Sequence, residues 1–358
     1  MKILAVFNHV GGLNALKPLL KEINSDHAIT ILTSVLNKER LNDLSLQIVY
    51  IDYKISINQA INHLKQNNIQ FLITSTSEPE DKVVGRLESV FIYSAKKIKI
   101  KSITILDSWQ KYKERFSLDN KNLLEAIPDK IYALDTKCKV DLIKNGFPKN
   151  NIIISGNPDW EKLKKIYKDI DNIEPKDVYK KLSLCLDSKF IIFISQPISE
   201  RDDYKIPYNE YDVLNSLISI IRELNKIKKN KYFLFIKKHP SEEYEKFNFI
   251  IEKNKEIVSL LNENIYSVYE LSRFSETCIG MFSMLLKELE ILGSQVISYQ
   301  PTKFNNQLIF SGLKENPITS EHQLLENICS IEKINNKTQM ELIPKAITEI
   351  QKFIGEVM

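Results

Sequence analysis

Short apolar runs alternate with amphipathic stretches through the first half of the chain. Runs over 2–7, 28–33, 47–51, 71–74, 102–106, 130–134 and 151–154 predict strands, and 3.6-residue periodicity over 13–24, 57–66, 81–97 and 136–145 predicts helices. Strands alternating with helices of about ten residues or more indicate βαβ units and a parallel sheet. Asp135 stands ready to cap the helix that begins at Thr136, and Gly146 follows its end. From Asp159 to Lys189 the chain turns rich in Lys and Asp, with Pro175 near the middle, and reads as an interdomain segment of charged helix. A second series follows, with strands over 190–195, 232–237, 277–280 and 295–298 and helices over 210–224, 266–273 and 282–292. Helical stretches over 321–330 and 338–353 close the chain.

Composition narrows the classes. The 358 residues carry 50 Lys+Arg against 46 Asp+Glu, a formal charge of +4, with 43% hydrophobic and 27% charged residues. This is ordinary for a globular protein and excludes a disordered chain, a collagen-like fibre and a disulfide-stapled mini-protein. A charge so diffuse excludes the clustered basic surface that nucleic acid requires. Cys138, Cys185, Cys278 and Cys329 show no Cys-x-x-Cys or Cys/His ligand spacing, so they read as buried, reduced thiols and no metal site is expected. The first apolar run spans about six residues, short of the roughly 7–15 of a signal peptide, and no stretch approaches the ~18 of a membrane span. The expectation is a cytoplasmic protein, with peripheral membrane contact through a surface patch left open.

Chemistry-bearing residues gather at predicted strand ends, where open α/β sheets bind ligands. In 235–240 a strand runs into Lys237-Lys238-His239-Pro240, and Pro240 keeps His239 extended. A histidine there suits donation to a phosphate and protonation of a departing nucleotide, whereas its plain alternative is a turn histidine beside solvated lysines. In 278–293 a strand ends at Gly280, Phe282 follows, and a helix starts near Ser283, offering N–H groups and a hydroxyl to a phosphate. Glu288 would face ribose hydroxyls; the alternative is an N-capped amphipathic helix with Met284, Leu285, Leu289 and Leu292 in the core and Glu288 solvated. Ser195-Gln196-Pro197 ends another strand and would share that crevice, unless it is plain turn chemistry.

In the first half, Asp107 is placed to act as a base and Trp109 as a sugar-stacking platform, against the alternatives of a helix cap and a core residue. His9-Val10-Gly11-Gly12 reads as a turn whose glycines admit close backbone approach to a ligand, without the Gly-x-Gly-x-x-Gly of a dinucleotide site. The hydroxyl-rich run 74–78, with Ser75, forms a further rim segment. No phosphate-loop lysine motif, Gly-x-Ser-x-Gly elbow or His-Glu-x-x-His is present.

Gln196-Pro197, His239-Pro240 and Ser283 resemble the motifs of GT-B glycosyltransferases that carry a His-Pro motif and a later serine. These include bacterial sialyl- and polysialyltransferases, capsule Kdo transferases and teichoic-acid glycerophosphotransferases. The segment from Ser283 to Gly293 is also similar to the nucleotide-binding helix of UDP-sugar GT-B enzymes, with Glu288 at the ribose-binding glutamate. The resemblance covers roughly residues 190–300. It implies an α/β GT-B fold of two Rossmann-like parallel-sheet domains facing across a cleft: an acceptor-side domain over 1–160, the interdomain segment 161–189, a nucleotide-sugar-binding domain over 190–335, and a C-terminal helix over 336–358 crossing back. It further implies an inverting, metal-independent glycosyltransferase without cofactor, moving sugar from a CMP- or UDP-sugar donor to a glycan, lipid-linked glycan or surface polysaccharide.

On that resemblance His239 stabilises the leaving phosphate, and Ser195, Gln196, Lys238, His239, Pro240, Phe282, Ser283 and Glu288 hold the donor. The families place their base in an acidic doublet before glycine, which this sequence lacks, so Asp107 takes that role by position; His9, Gly11, Gly12, Ser75 and Trp109 line the acceptor side. The same layout serves nucleotide-sugar 2-epimerases, so the alternatives are an epimerase or hydrolase of nucleotide sugars, or a non-catalytic sugar-nucleotide-binding protein.

Overall fold

The computed structural model describes residues 1–77, 85–119, 121, 123–200, 205–331 and 346–357. The chain divides into two compact units, Met1–Glu161 with Pro344–Met358, and Lys162–Ile343.

Unit 1 runs β1 (Lys2–Phe7), α1 (Val10–Ile23), β2 (Ala28–Ser34), β3 (Gln47–Ile51), α2 (Ile57–Gln66), β4 (Phe71–Thr74), α3 (Leu87–Lys97), β5 (Lys101–Ile105), α4 (Tyr112–Arg115), β6 (Lys130–Ala133), α5 (Thr136–Lys144) and β7 (Ile152–Ile154). Its seven strands pair in parallel in the order β3-β2-β1-β4-β5-β6-β7. Strands buried on both faces explain the unbroken apolar runs: β4 is Phe-Leu-Ile-Thr with every residue buried. Ser56 begins α2 with a reciprocal capping box to Gln59, and the Asp135 carboxylate accepts the Cys138 N–H at the start of α5. The chain moves outward from β1 to β3 and then returns to the other side of β1 with β4. That reversal opens a crevice at the carboxyl ends of β1 and β4, the place where open α/β sheets take ligands.

Unit 2 runs α6 (Leu163–Ile170), α7 (Pro175–Lys181), β8 (Lys189–Ile194), α8 (Glu210–Ile227), β9 (Tyr232–Lys237), α9 (Asn248–Lys253), β10 (Val258–Leu260), α10 (Val268–Ser272), β11 (Thr277–Gly280), α11 (Met284–Ile291), β12 (Val296–Ser298) and α12 (Glu321–Ser330). Its five strands are parallel in the order β10-β9-β8-β11-β12, with the reversal between β8 and β11. Val178 and Tyr179 of α7 pack into a core with Phe190, Phe235 and Leu289, so part of the charged stretch after Asp159 is built into this unit. The last helix, α13 (Ala346–Val357), places Ile350 and Ile354 in the unit 1 core beside Leu16 and Leu20.

Two short elements, α9 and β10, carry too little apolar periodicity to be read from sequence, since β10 is only Val-Ser-Leu. Of the expected helix over 81–97, residues 81–84 lie outside the described residues and α3 begins at Leu87. Residues 338–345 of the expected final helix also lie outside them. Among the described residues, no helix is long and apolar enough to cross a membrane.

Candidate functional site

In unit 1 the crevice is built on the first turn of α1. The segment His9–Gly12, expected as a turn, is instead the N-cap and first helical residues, with Leu13 N–H bonded to the His9 carbonyl. Glycine is a poor helix former, but here a side chain would collide. A Cβ on Gly11 would lie 2.3 Å from Asp107 Oδ2, and one on Gly12 would lie 2.0 Å from Ser75 Oγ. The glycines therefore let α1 close directly over the ends of β4 and β5.

Asp107 follows β5 and has a side chain 11% exposed; its Oδ1 accepts from Thr76 Oγ1 at 3.1 Å and from the buried Arg115 guanidinium at 3.0 Å. Arg115 also donates to Thr76 Oγ1 at 2.8 Å. Glu88, the second residue of α3, is buried, and its Oε1 accepts from the Asn8 N–H at 2.9 Å and from the Ser77 hydroxyl. Two carboxyl groups of different surroundings thus flank the start of α1. Asp107 was singled out in the sequence; Glu88 was not, and its only signal is an acid among the apolar residues of a helical stretch.

Burial pushes the Glu88 carboxyl above the ordinary carboxyl value, against the lowering effect of the Ser77 hydroxyl, His9 and the Asn8 amide. An acid raised on folding adds its stability only while protonated and loses it as pH climbs toward the raised value. Glu88→Gln is neutral at every pH and still accepts the Asn8 N–H. It should match the parent near about pH 4 and become the more stable protein as pH rises from about 5 to 8. Thermal melts across that range measure this, and a parent as stable as the variant at the alkaline end contradicts it.

Trp109 sits in a packed layer. It is 8% exposed, its ring stacks on Trp160 at 6.4 Å, and its Nε1–H donates to Asp135 at 2.9 Å. One face of the expected sugar platform is therefore occupied by another indole.

In unit 2, neighbouring strands bring three of the expected segments side by side. Ser195-Gln196-Pro197 follows β8, Lys238-His239-Pro240 follows β9, and Met281-Phe282-Ser283 follows β11. His239 and Pro240 are exposed. The His239 N–H donates to Glu242 Oε2 at 2.7 Å, and its Nδ1 accepts from the Ser241 N–H at 3.2 Å, which in the neutral ring places the proton on Nε2. Gln196 Oε1 accepts from the Phe282 N–H at 2.9 Å and so ties the ends of β8 and β11 together across the reversal. Ser283 caps α11, its hydroxyl accepting from Leu285 N–H at 3.3 Å.

Other expected contacts are spent inside the unit. Ser195 is buried, and its hydroxyl donates to Glu242 at 2.7 Å. Lys237 pairs with Glu263 at 2.9 Å, and Lys238 donates to the Glu243 carbonyl at 2.9 Å while lying over the Tyr244 ring. Glu288 is buried, accepting from the Tyr269 hydroxyl and lying 3.5 Å from Lys162, so it is not a solvated helix residue. A concave space of about 390 Å³ opens beside Lys238, lined also by Tyr244, Leu261 and Asn262.

Neither a family model nor a curated protein matches the sequence. Solved structures do. The UDP-GlcNAc 2-epimerase of Methanocaldococcus jannaschii is 14% identical, with 99% of this chain and 100% of that one covered and a TM-score of 0.63. The UDP-GlcNAc 2-epimerase of Neisseria meningitidis bound to UDP-GlcNAc is 15% identical, with the same coverage and TM-score. A glycosyltransferase from Rickettsia africae is 15% identical over 99% of this chain and 98% of that one, again at 0.63. These structures carry the GT-B-like fold of two parallel-sheet α/β domains, and the sheets of both units agree with it. They correct the expectation of a glycosyltransferase of the sialyl, Kdo or glycerophosphate type, because beside the one glycosyltransferase the other matches over nearly the whole chain are UDP-GlcNAc 2-epimerases. What the chain shares with all of them is a GT-B-like fold.

Proposed function

We propose that the chain is a nucleotide-sugar 2-epimerase acting on a UDP-activated N-acetylhexosamine. The observation that carries the reading is likeness to UDP-GlcNAc 2-epimerases over 99% of the chain, in structures that include one bound to UDP-GlcNAc. To invert C2, a base takes the C2 proton while the C–H electron pair forms a C1=C2 double bond and expels UDP from C1; an acid then returns a proton to the opposite face of C2 as UDP re-adds at C1. That takes a base and an acid, and it takes no acceptor. Among the described residues of unit 1, the two carboxyl groups flanking the start of α1 differ in environment. Asp107, ion-paired with Arg115, is the candidate to take the proton, and Glu88, whose carboxyl burial favours in its protonated form, is the candidate to supply one. Unit 2 taken by itself offers the helix start at Ser283 and the exposed His239 after β9 as groups suited to phosphate, and the reaction as proposed draws on no resident cofactor.

The test is incubation with UDP-GlcNAc alone in D2O, followed by proton NMR. Conversion to the C2 epimer with deuterium entering at C2 is expected. Sugar that leaves the nucleotide only when a glycan acceptor is added would sink the reading. So would tight UDP binding with no turnover, which would make the chain a binding protein.

A further inference from the structure

Behind the strand-end loops of unit 2 lies a buried charge cluster that the proposed reaction does not use. Lys246 has a side chain 4% exposed, and its Nζ lies 2.9 Å from Glu242, 2.5 Å from Glu210 and 2.7 Å from Glu200. The Glu210 and Glu242 side chains are fully enclosed, whereas that of Glu200 is 44% exposed.

Each buried carboxylate is lashed to a loop at the carboxyl edge of the sheet. Glu242 accepts from the His239 N–H and the Ser195 hydroxyl, both at 2.7 Å. Glu210, the first residue of α8, accepts from the N–H groups of Ile198 and Ser199, both at 3.0 Å, and from the Ser199 hydroxyl. The turn so held contains Gln196, which receives the Phe282 N–H, so the loop after β11 is tied in as well.

Two buried carboxylates bridged by one ammonium are held together only while the ammonium is present; alone, they would repel. Burial works against the Lys246 charge, but its three carboxylate partners outweigh this and hold it above the ordinary lysine value. Burial likewise favours protonated Glu210, and Lys246 with the Ser199 donors reverses that.

We infer that Lys246 is the positioning residue of these loops: its ammonium bridges Glu242 and Glu210 and holds them in place, and they fix the His239 amide and the 195–199 turn. Only the identity of what the loops bind rests on the proposed function. A charge cluster serving stability alone would loosen the whole unit when broken. A positioning cluster loosens the loops first.

Amide hydrogen exchange separates these. In Lys246→Met the amides of His239, Ile198 and Ser199 should exchange at least ~10-fold faster, while those of Ile192 and Ile279 in β8 and β11 keep their protection. Calorimetry with UDP should then show a dissociation constant raised at least ~10-fold. Unchanged loop exchange, or equal acceleration of loops and strands, overturns the inference. Should Lys246→Met fail to fold, Lys246→Met with Glu210→Gln removes one facing buried charge along with the ammonium and carries the same expectation at His239. A parent that binds no UDP overturns the functional reading, and the exchange result still decides the role of Lys246.

Discussion

Arg115→Met is expected to destabilise the protein by about 3–5 kcal/mol, the cost of leaving one partner of a buried ion pair without the other. The Arg115 and Asp107 side chains are 5% and 11% exposed, and the guanidinium also serves Thr76 at 2.8 Å. Exposed pairs contribute only about 0–1 kcal/mol, so the size of the loss reads the burial directly. Urea unfolding of the parent and variant measures it. The double variant Arg115→Met with Asp107→Leu should recover much of the loss, because replacing both charges by apolar groups leaves none unpaired. A single-variant loss under about 1 kcal/mol would mean that water reaches the pair.

Asp107→Asn separates chemistry from architecture. The asparagine Oδ1 still accepts from Thr76 and Arg115, so the first turn of α1 keeps its floor. What disappears is the ability to hold a proton. Turnover of the nucleotide sugar, followed as C2 epimer formation, should fall by at least ~10²-fold, the low end for a general acid–base group. Deuterium entry at C2 should fall with it, because a deuteron is delivered only after the C2 proton has been taken. A variant that epimerises at the parent rate removes Asp107 from the reaction and turns attention to Glu88, the other buried carboxyl group among the described residues flanking α1.

Much of the site scaffold was legible because it is local. A strand end followed by Pro240 places His239, a serine before an apolar helix places the cap at Ser283, and Asp107 comes just past the end of β5, after Leu106. Such signals live within a few residues. The partners of these groups do not. Glu88 reaches Asn8 across 80 positions, Arg115 reaches Thr76 across 39, and Lys246 reaches Glu210 across 36. No periodicity carries that information.

The paired lysines before His239 show the same limit from the other side. The sequence places them together, yet one is taken by Glu263 and the other by backbone carbonyls. The transferase expectation failed for a related reason. Gln-Pro, His-Pro and a capping serine mark strand ends on this fold, and the fold hosts more than one reaction.

By itself, then, the sequence determined the two series of parallel βα units and the strand ends that carry candidate chemistry. Both follow from hydrophobic period and chain-local capping, which act over one element at a time. Only the tertiary structure decided that Gly11 and Gly12 begin a helix rather than form a turn, since the Asp107 and Ser75 atoms that exclude a side chain there come from distant strands. It alone decided which charges are spent in pairs and which carboxyl is buried, because desolvation and ion pairing depend on what folding brings within a few ångströms.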